Sequence, residues 1–362
     1  MRYDIIINGD TLAEMRKLQS ESVDLIFADP PYYMRTEGVM KRDGGNEFDG
    51  CDDEWDKFDS PESYETFTFQ WLSECRRLLR CDGSIWVIGS MQCIYTLGWI
   101  MHKLGYWFIN DVIWHKTNPA PNFLGTRLNN SHETLIWAVK EKSSRLAFNY
   151  KTAKILNAEG ESLDSVKQMG SVWSIPLCSG SERLKDDDGN KLHSTQKPLQ
   201  LLERIIAISS NHGDIVLDPF GGTMTTGAAA KKLGRRYIMI EREKKYCDYG
   251  QKRLDAIEFE DTDTARAIFD IKPPKVSMQE MIREGVFNAG EEFMLEDRMT
   301  HAVLQEDGKL LYEGEIFDMH TCAALAKGSK RKRLNGFDIW YVMRDGELVS
   351  INSVRESYRK AE

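Results

Sequence analysis

Two stretches of this chain repeat one plan, and that plan limits what the rest can be. Residues 5–28 read as a strand (Ile5-Ile6-Ile7), a turn (Asn8-Gly9-Asp10), a helix from Thr11 to Leu18 and a second strand from Val23 to Ala28. Residues 215–240 follow suit: Ile215-Val216-Leu217, a glycine loop, a helix from about Thr225 to Leu233 and a strand from Tyr237 to Ile240. Strands joined through helices pair in parallel, and a parallel sheet must be covered on both faces. The expected fold class is therefore α/β, with a doubly wound, mostly parallel sheet. Further buried strands are expected at Ile85–Ile88, Val112–Trp114 and Thr134–Val139, and a strongly periodic helix over Ser63–Leu79. Trp71, Trp86, Trp99, Trp107, Trp114 and Trp137 all sit in these apolar segments and are expected in the core.

At 362 residues, with 41% hydrophobic and 29% charged, the chain is long and apolar enough for two or three folded domains. After a helix ending near Ile257, the run Glu258–Asp263 and then Lys272-Pro273-Pro274-Lys275 mark a stiff change of composition. This places a first domain over 1–270 and a small α+β C-terminal domain over 271–362, with a helix at Met278–Glu284 and turns at Glu306-Asp307-Gly308 and Arg344-Asp345-Gly346. Gly83–Met101 runs nineteen residues without a charge, near the length of a membrane span. It contains Ser84, Gly89, Ser90, Gln92, Thr96 and Gly98, so a strand followed by an amphipathic helix fits it better. The first ten residues hold only three consecutive apolar residues, too few for a signal-peptide core. No membrane association and a cytoplasmic, chromosome-associated protein are expected. The cysteines (51, 75, 81, 93, 178, 247 and 322) form an odd set without a C-x-x-C pair, so free thiols and no metal site are expected.

The residues with the most chemical content lie where strands end. Asp29-Pro30-Pro31-Tyr32 directly follows an apolar strand. Two prolines fix φ and remove two donors, leaving carbonyls outward at the strand's carboxyl end. A carboxylate, a bare carbonyl and an aromatic ring then converge, which suits a flat base bearing an exocyclic amine. Asp29 and the Pro30 carbonyl can accept the two amino hydrogens while Tyr32 stacks on the ring. A plain proline-rich turn would read the same way, but a second motif adds context. Asp218-Pro219-Phe220-Gly221-Gly222-Thr223-Met224-Thr225-Thr226-Gly227 is again strand, glycine loop and helix, with Glu241 at the end of the next strand. That is the logic of a nucleotide site in a doubly wound sheet, where glycines allow close approach and an acid takes ribose hydroxyls.

Together the two motifs resemble the amino-group DNA methyltransferases that use S-adenosylmethionine, of the permuted order in which DPPY precedes the glycine motif. Asn8-Gly9-Asp10, Asp52-Asp53-Glu54-Trp55-Asp56, Ile85–Gly89, Lys116-Thr117-Asn118-Pro119-Ala120-Pro121-Asn122-Phe123, His132-Glu133-Thr134 and Ser194-Thr195-Gln196-Lys197-Pro198 extend it. They are similar to the cell-cycle-regulated adenine methyltransferases and restriction-system relatives acting at GANTC, over essentially the whole chain. The resemblance implies the S-adenosylmethionine-dependent methyltransferase fold, with S-adenosylmethionine as cofactor and double-stranded DNA with a flipped target base as partner. Asp29, Pro30, Pro31 and Tyr32 would be catalytic. Asp10 would bind the cofactor's adenine and Glu241 its ribose, with Thr11 and Arg242 also among the cofactor-binding residues. Lys197 and the loop residues Asp218, Pro219, Phe220, Gly222, Thr225 and Thr226 would hold its methionine end. One departure stands out: the family loop reads F-x-G-x-G, and here Met224 replaces its second glycine. A non-glycine residue at positive φ costs on the order of 1–2 kcal/mol. Because a helix starts there, the substitution is expected to be nearly neutral, without a positive φ.

Target recognition is expected in loops at about 33–59 and 115–190. The amide-rich set Lys116, Asn118, Asn122, Phe123, Arg127, Asn129 and His132 suits base edges and phosphates, though an irregular solvated loop would carry it too. Arg35, Lys41 and Arg42 lie among bulky apolar residues fit for wedging between bases, and Trp55 in an acidic stretch of eight acids against one lysine. The C-terminal domain has fourteen basic and sixteen acidic residues, so any contact with phosphate must be local; Lys330, Arg331, Lys332 and Arg333 are its candidates. The overall formal charge of -9 does not exclude such a patch. The expected activity is site-specific methylation of the adenine amine in DNA. Cytosine-N4 methylation and a catalytically silent DNA-binding relative are the alternatives, and the resemblance leaves room for a homodimer and a cognate restriction endonuclease.

Overall fold

The computed structural model describes residues 2–34, 40–41, 47–48, 56–122, 126–158, 166–271 and 273–361. The chain divides into two units, Met1–Ile271 and Lys272–Glu362.

The first unit opens with β1 (Ile5–Asn8), α1 (Thr11–Met15) and β2 (Val23–Ala28), followed by two-residue strands β3 (Met40–Lys41) and β4 (Glu47–Phe48). Next come α2 (Pro61–Leu78), β5 (Leu79–Gly89), α3 (Ile94–Lys103), β6 (Trp107–Lys116), β7 (His132–Val139), α4 (Tyr150–Asn157) and β8 (Val172–Ile175). The glycine-loop repeat follows as α5 (Leu199–Ser209), β9 (Ile215–Asp218), α6 (Thr225–Lys232), β10 (Arg236–Glu241), α7 (Lys244–Asp255) and α8 (Asp263–Arg266). Among the described residues the main sheet has the order β1-β10-β9-β2-β5-β7-β6-β8. Every neighbouring pair is parallel except those made by β7, which runs against both β5 and β6. No helix among the described residues separates β6 from β7, and strands joined without a crossover pair antiparallel.

Alternate residues of the central strands build two cores. Leu25, Phe27, Trp86, Ile88 and Met239 face α5 and α6, while Ile26, Ala28, Ile85, Val87 and Ile240 face α2 and α3. Helix α2 shows why its sequence folds this way. Ser60 and Ser63 form a capping box, Pro61 begins the first turn, Arg76 and Arg77 lie in the last, and Tyr64, Thr68, Trp71, Leu72, Cys75 and Leu78 form the buried stripe. The expectation for the tryptophans holds for four and fails for two. Trp71, Trp86, Trp114 and Trp137 are buried, but Trp99 is 59% exposed and Trp107 45%. The buried stripe of α3 is Ile94, Leu97, Ile100 and Met101, which leaves Trp99 off the core side beneath the Lys103 ammonium. Trp107 starts the exposed half of β6, with Lys142 over its ring.

The second unit packs α9 (Met278–Arg283), α10 (Met319–Ala326), α11 (Gly336–Ile339) and α12 (Ile351–Ala361) with an antiparallel sheet. Its strands are β11 (Glu292–Met294), β12 (His301–Leu304), β13 (Leu310–Tyr312), β14 (Glu315–Phe317), β15 (Tyr341–Arg344) and β16 (Glu347–Ser350), in the order β14-β13-β12-β11-β15-β16. Phe287, Phe293, Leu304 and Trp340 centre its own core. Among the described residues no helix is long and apolar enough to cross a membrane, and the described cysteines are free thiols.

Candidate active site

Strands β2 and β9 lie side by side, with Ile26 level with Leu217. From β2 the chain winds toward β5, and from β9 it winds the other way, toward β10. At such a switch point the loops beyond the strands part and leave a crevice at their carboxyl ends. A cavity of about 310 Å³ occupies that position, and Asp29 and Asp218 face it from the two strand ends. Asp10, Thr11, Pro30, Pro31, Tyr32, Lys197, Pro219, Phe220, Gly222, Thr225, Thr226, Glu241 and Arg242 line the same cavity. Residues up to 232 positions apart in sequence, Asp10 and Arg242, are thus gathered in one place.

The Asp29–Tyr32 corner is braced from outside. The Tyr64 hydroxyl donates to the Pro31 carbonyl at 2.9 Å, whereas the Pro30 carbonyl accepts from no described residue. The Asp56 carboxylate, 6% exposed, accepts the backbone N–H groups of Tyr32, Tyr33 and Met34, the latter two at 2.8 Å. Tyr33 is held at φ 52°, a left-handed conformation that costs a non-glycine residue on the order of 1–2 kcal/mol. Three charge-assisted hydrogen bonds converging on this turn offset that cost. Asp56 was legible only as part of an acidic run, because nothing local marks one acid of eight as the one that folds back.

Four charged side chains alternate in sign behind the corner. Lys197 Nζ lies 2.7 Å from Asp29 Oδ2 and 3.9 Å from Glu133 Oε2, and Lys116 Nζ lies 2.7 Å from Glu133 Oε1. The Tyr32 hydroxyl stands 2.9 Å from Asp29 and 3.0 Å from Glu133, one proton facing two acceptors. Burial raises the Asp29 carboxyl, against the pull of Lys197. Burial acts on Glu133 in the same sense, but Lys197 and Lys116 outweigh it and hold Glu133 below the usual carboxylate range. Lys197 is desolvated, yet the two carboxylates keep its ammonium above the ordinary lysine value. Lys197, expected at the methionine end of a cofactor, lines the cavity shared with the glycine loop and there pairs with Asp29. In the sequence Glu133 is marked only by its place in His132-Glu133-Thr134.

At the glycine loop, Asp218 accepts from the Phe220 N–H at 2.9 Å and from the Thr226 hydroxyl at 2.5 Å, and burial pushes its carboxyl up to about 7. Thr11 ties α1 to this loop by donating to the Pro219 carbonyl at 2.7 Å. Asp10 caps α1 through the Ala13 N–H, and Glu241 accepts from Gly222 at 2.8 Å and Glu243 at 2.7 Å, so the acids are fixed in direction before any ligand arrives.

Met224 overturns the expectation of a neutral replacement. It caps α6 at φ 60° and ψ 32°, in the left-handed region, so the position does favour glycine. The methionine persists because its side chain is fully buried under the loop and fills space left by Gly250 in α7, where an added Cβ would sit 2.2 Å from Met224 Cγ. Burial of such a side chain is worth about 1.5–3 kcal/mol, enough to match the strain. Met224→Gly is expected to be net destabilising by about 1–3 kcal/mol, since truncating a buried methionine costs about 2–5 kcal/mol and strain relief returns only part. Thermal unfolding of both forms checks this, and an unchanged or raised midpoint would refute it. Cofactor affinity should change less than tenfold, because Thr223 and Thr225 line the cavity and Met224 does not.

The DNA-reading candidates scatter more widely. Lys116 ends β6 and is paired with Glu133, with its side chain 12% exposed. Asn118 accepts from Leu177 N–H and Asn122 donates to the Arg127 carbonyl, so both amides shape the loop. Arg127, Asn129 and His132 are exposed, as are Lys330, Arg331, Lys332 and Arg333, of which Arg333 pairs with Asp318. Arg35, Arg42, Trp55 and Phe123, and the side chain of Lys41, lie outside the described residues.

Comparison with known proteins agrees with this geometry. Residues 23–252 match a family described as DNA methylase, and residues 260–362 match one described as restriction enzyme adenine methylase associated. The chain is 47% identical over 353 residues to the type II methyltransferase M.HinfI of Haemophilus influenzae, covering 98% of this chain and 96% of that protein. It is 40% identical over 253 residues to the type II methyltransferase M2.DpnII of Streptococcus pneumoniae, covering 70% and 90%. The fold also matches the PvuII DNA methyltransferase (cytosine-N4-specific) with TM-score 0.51 at 20% identity, over 74% of this chain and 93% of that one.

Proposed function

The chain belongs to the DNA methylase family, and from that membership we propose that it methylates the exocyclic amine of adenine within GANTC in double-stranded DNA, using S-adenosylmethionine. The observation that carries the reading is the cavity shared by the Asp29–Tyr32 corner and the glycine loop, with the Pro30 carbonyl accepting from none of the described residues.

The residues present fit the cofactor. The cavity is of small-ligand size and is lined by acids at four strand ends, Asp10, Asp29, Asp218 and Glu241, and by a glycine loop of close approach. Asp10 and Glu241 would hold the adenosine part, and the 218–226 loop the methionine part. Asp218, with its carboxyl raised to about 7, would be favoured in its ionised form by a nearby cation. The bound cofactor supplies a methyl group already activated on a sulfonium. What remains for this chain is to align the amine with that methyl and to keep water out. Asp29 and the Pro30 carbonyl each accept one amine hydrogen, which fixes the nitrogen and raises electron density on it. The extrahelical base would reach them over Tyr32.

The proposal extends to finer points. The DPPY motif precedes the glycine motif, the permuted order of the resemblance. Arg127, Asn129 and His132 would face the target site, and the exposed Lys330–Arg333 run would meet phosphates. A homodimer, a cognate endonuclease and residence on the chromosome in the cytoplasm follow from the resemblance alone.

Methyl transfer from tritiated cofactor to oligonucleotides, with nucleoside analysis of the product, tests the reading. N6-methyladenine in a GANTC duplex and none in a duplex with that site scrambled is the expected result; N4-methylcytosine would favour the alternative acceptor, and no incorporation would favour a silent DNA binder.

A further inference from the structure

Glu133 belongs to no step described so far, yet it occupies the centre of the charged network. It stands near the start of β7, opposite Trp114 of β6, and Lys116 extends from the end of that same hairpin. Two paired strands therefore deliver a carboxylate and an ammonium to the carboxyl edge of the sheet beside Asp29. All four charged side chains are 7–18% exposed, so each depends on its neighbours for compensation. The chain of contacts runs Lys116, Glu133, Lys197, Asp29 and is neutral as a whole.

We propose that Glu133 is a positioning residue that sets the acceptor strength of Asp29, because it shares both of Asp29's partners, the Lys197 ammonium and the Tyr32 hydroxyl. This rests on the reading of Asp29 as the group that accepts the amine hydrogen. Without Glu133, Lys197 would answer to Asp29 alone and Lys116 would add a second uncompensated cation nearby. Both changes would draw charge away from the oxygens that meet the amine. With Glu133 present, Tyr32 and Lys197 are held from two sides and Asp29 keeps its direction and its strength as an acceptor.

The titratable groups facing Asp29 are Lys197, Glu133 and Tyr32, with Asp218 on β9 and Cys93 at the N-cap of α3 also in its field. The negative charge of Glu133 raises the Asp29 carboxyl. Glu133→Gln should therefore lower it, and the acid limb of the kcat profile should move to lower pH by about one unit. Lys116→Met removes the cation that offsets Glu133 and should move the limb the opposite way. kcat of Glu133→Gln is expected to fall roughly 10- to 100-fold, with KM for the cofactor and affinity for DNA within about threefold. A purely structural role would change stability without opposite pH shifts in the two variants.

The decisive experiment is titration of the Asp29 carboxyl by carbon NMR, in the parent, Glu133→Gln and Lys116→Met proteins, alongside the pH–rate profiles. Opposite displacements of the Asp29 titration support the proposal. An Asp29 titration unmoved in both variants overturns it, as does a kcat within threefold of the parent in Glu133→Gln. The titration needs no turnover, so it reads the role of Glu133 separately from the reaction. Failure of the parent protein to form N6-methyladenine would instead overturn the reaction assignment and leave the titration to decide the coupling.

Discussion

Replacing Asp29 with alanine is expected to lower methyl transfer by roughly 10³-fold or more while cofactor binding changes only a few-fold. The carboxylate is one of two acceptors proposed to hold the amine, and removing one preorganised polar group from such a site costs about 10²–10³ in kcat. The variant has a second effect here, because Lys197 loses its 2.7 Å partner and keeps the Thr195 carbonyl at 3.4 Å and Glu133 at 3.9 Å. A buried ammonium left so poorly paired will turn toward the space the carboxylate vacated, which is where the amine must sit. Asp29→Asn keeps the shape and one acceptor oxygen, so it should retain more activity than alanine. Single-turnover rates with saturating cofactor and DNA, together with calorimetric cofactor binding, separate the outcomes. Alanine activity within tenfold of the parent would remove Asp29 from the chemistry, and with it the proposed reading.

The second large effect is expected at Asp56, which acts on the corner through its backbone. Asp56→Ala withdraws the acceptor of three backbone N–H groups, and a buried donor left unsatisfied costs about 1–3 kcal/mol. Residue 33 cannot hold its left-handed conformation against that loss, so the turn should relax into another shape while the sheet stays folded. A displacement of about 1 Å at a reacting group can cost 10²-fold in rate, and kcat is expected to fall by at least that. Asp56→Asn keeps one acceptor oxygen but turns an amide N–H₂ toward a backbone donor, so an intermediate loss should follow. The global unfolding midpoint should move far less than the rate. A kcat within threefold of the parent for the alanine variant would mean that the corner is held by other contacts.

Much of the fold could be read directly from local pattern. The two strand, helix, strand repeats, the helix beginning at Pro61 and the charge-free stretch resolving into β5 and α3 are set by periodicity and capping within a few residues. Trp99 and Trp107 show the boundary of that method: an apolar segment tells that one side is buried, but single large residues can fall on the other. The site was legible for a similar reason and to a similar extent. DPPY and the glycine loop each bear their chemistry in consecutive residues, so their meaning survives without three dimensions. Glu133, Asp56 and the commitment of Lys116 had no such local mark, because each acts on a partner 17 to 101 positions away. Met224 failed for a subtler cause: the conformation of one residue is local, but the space that makes its side chain acceptable belongs to Gly250 on another helix.

By itself the sequence determined the class of sheet, the two units and the two loops that meet at the crevice, since strand periodicity, proline and glycine act through neighbours along the backbone. Only the tertiary structure decided which acids brace the corner, which lysine faces which carboxylate and why a methionine can stand at a left-handed cap. Those outcomes depend on burial and on distances of a few ångströms between segments remote in the chain, and a charge pair or a filled hollow has no signature until the chain has brought both sides together.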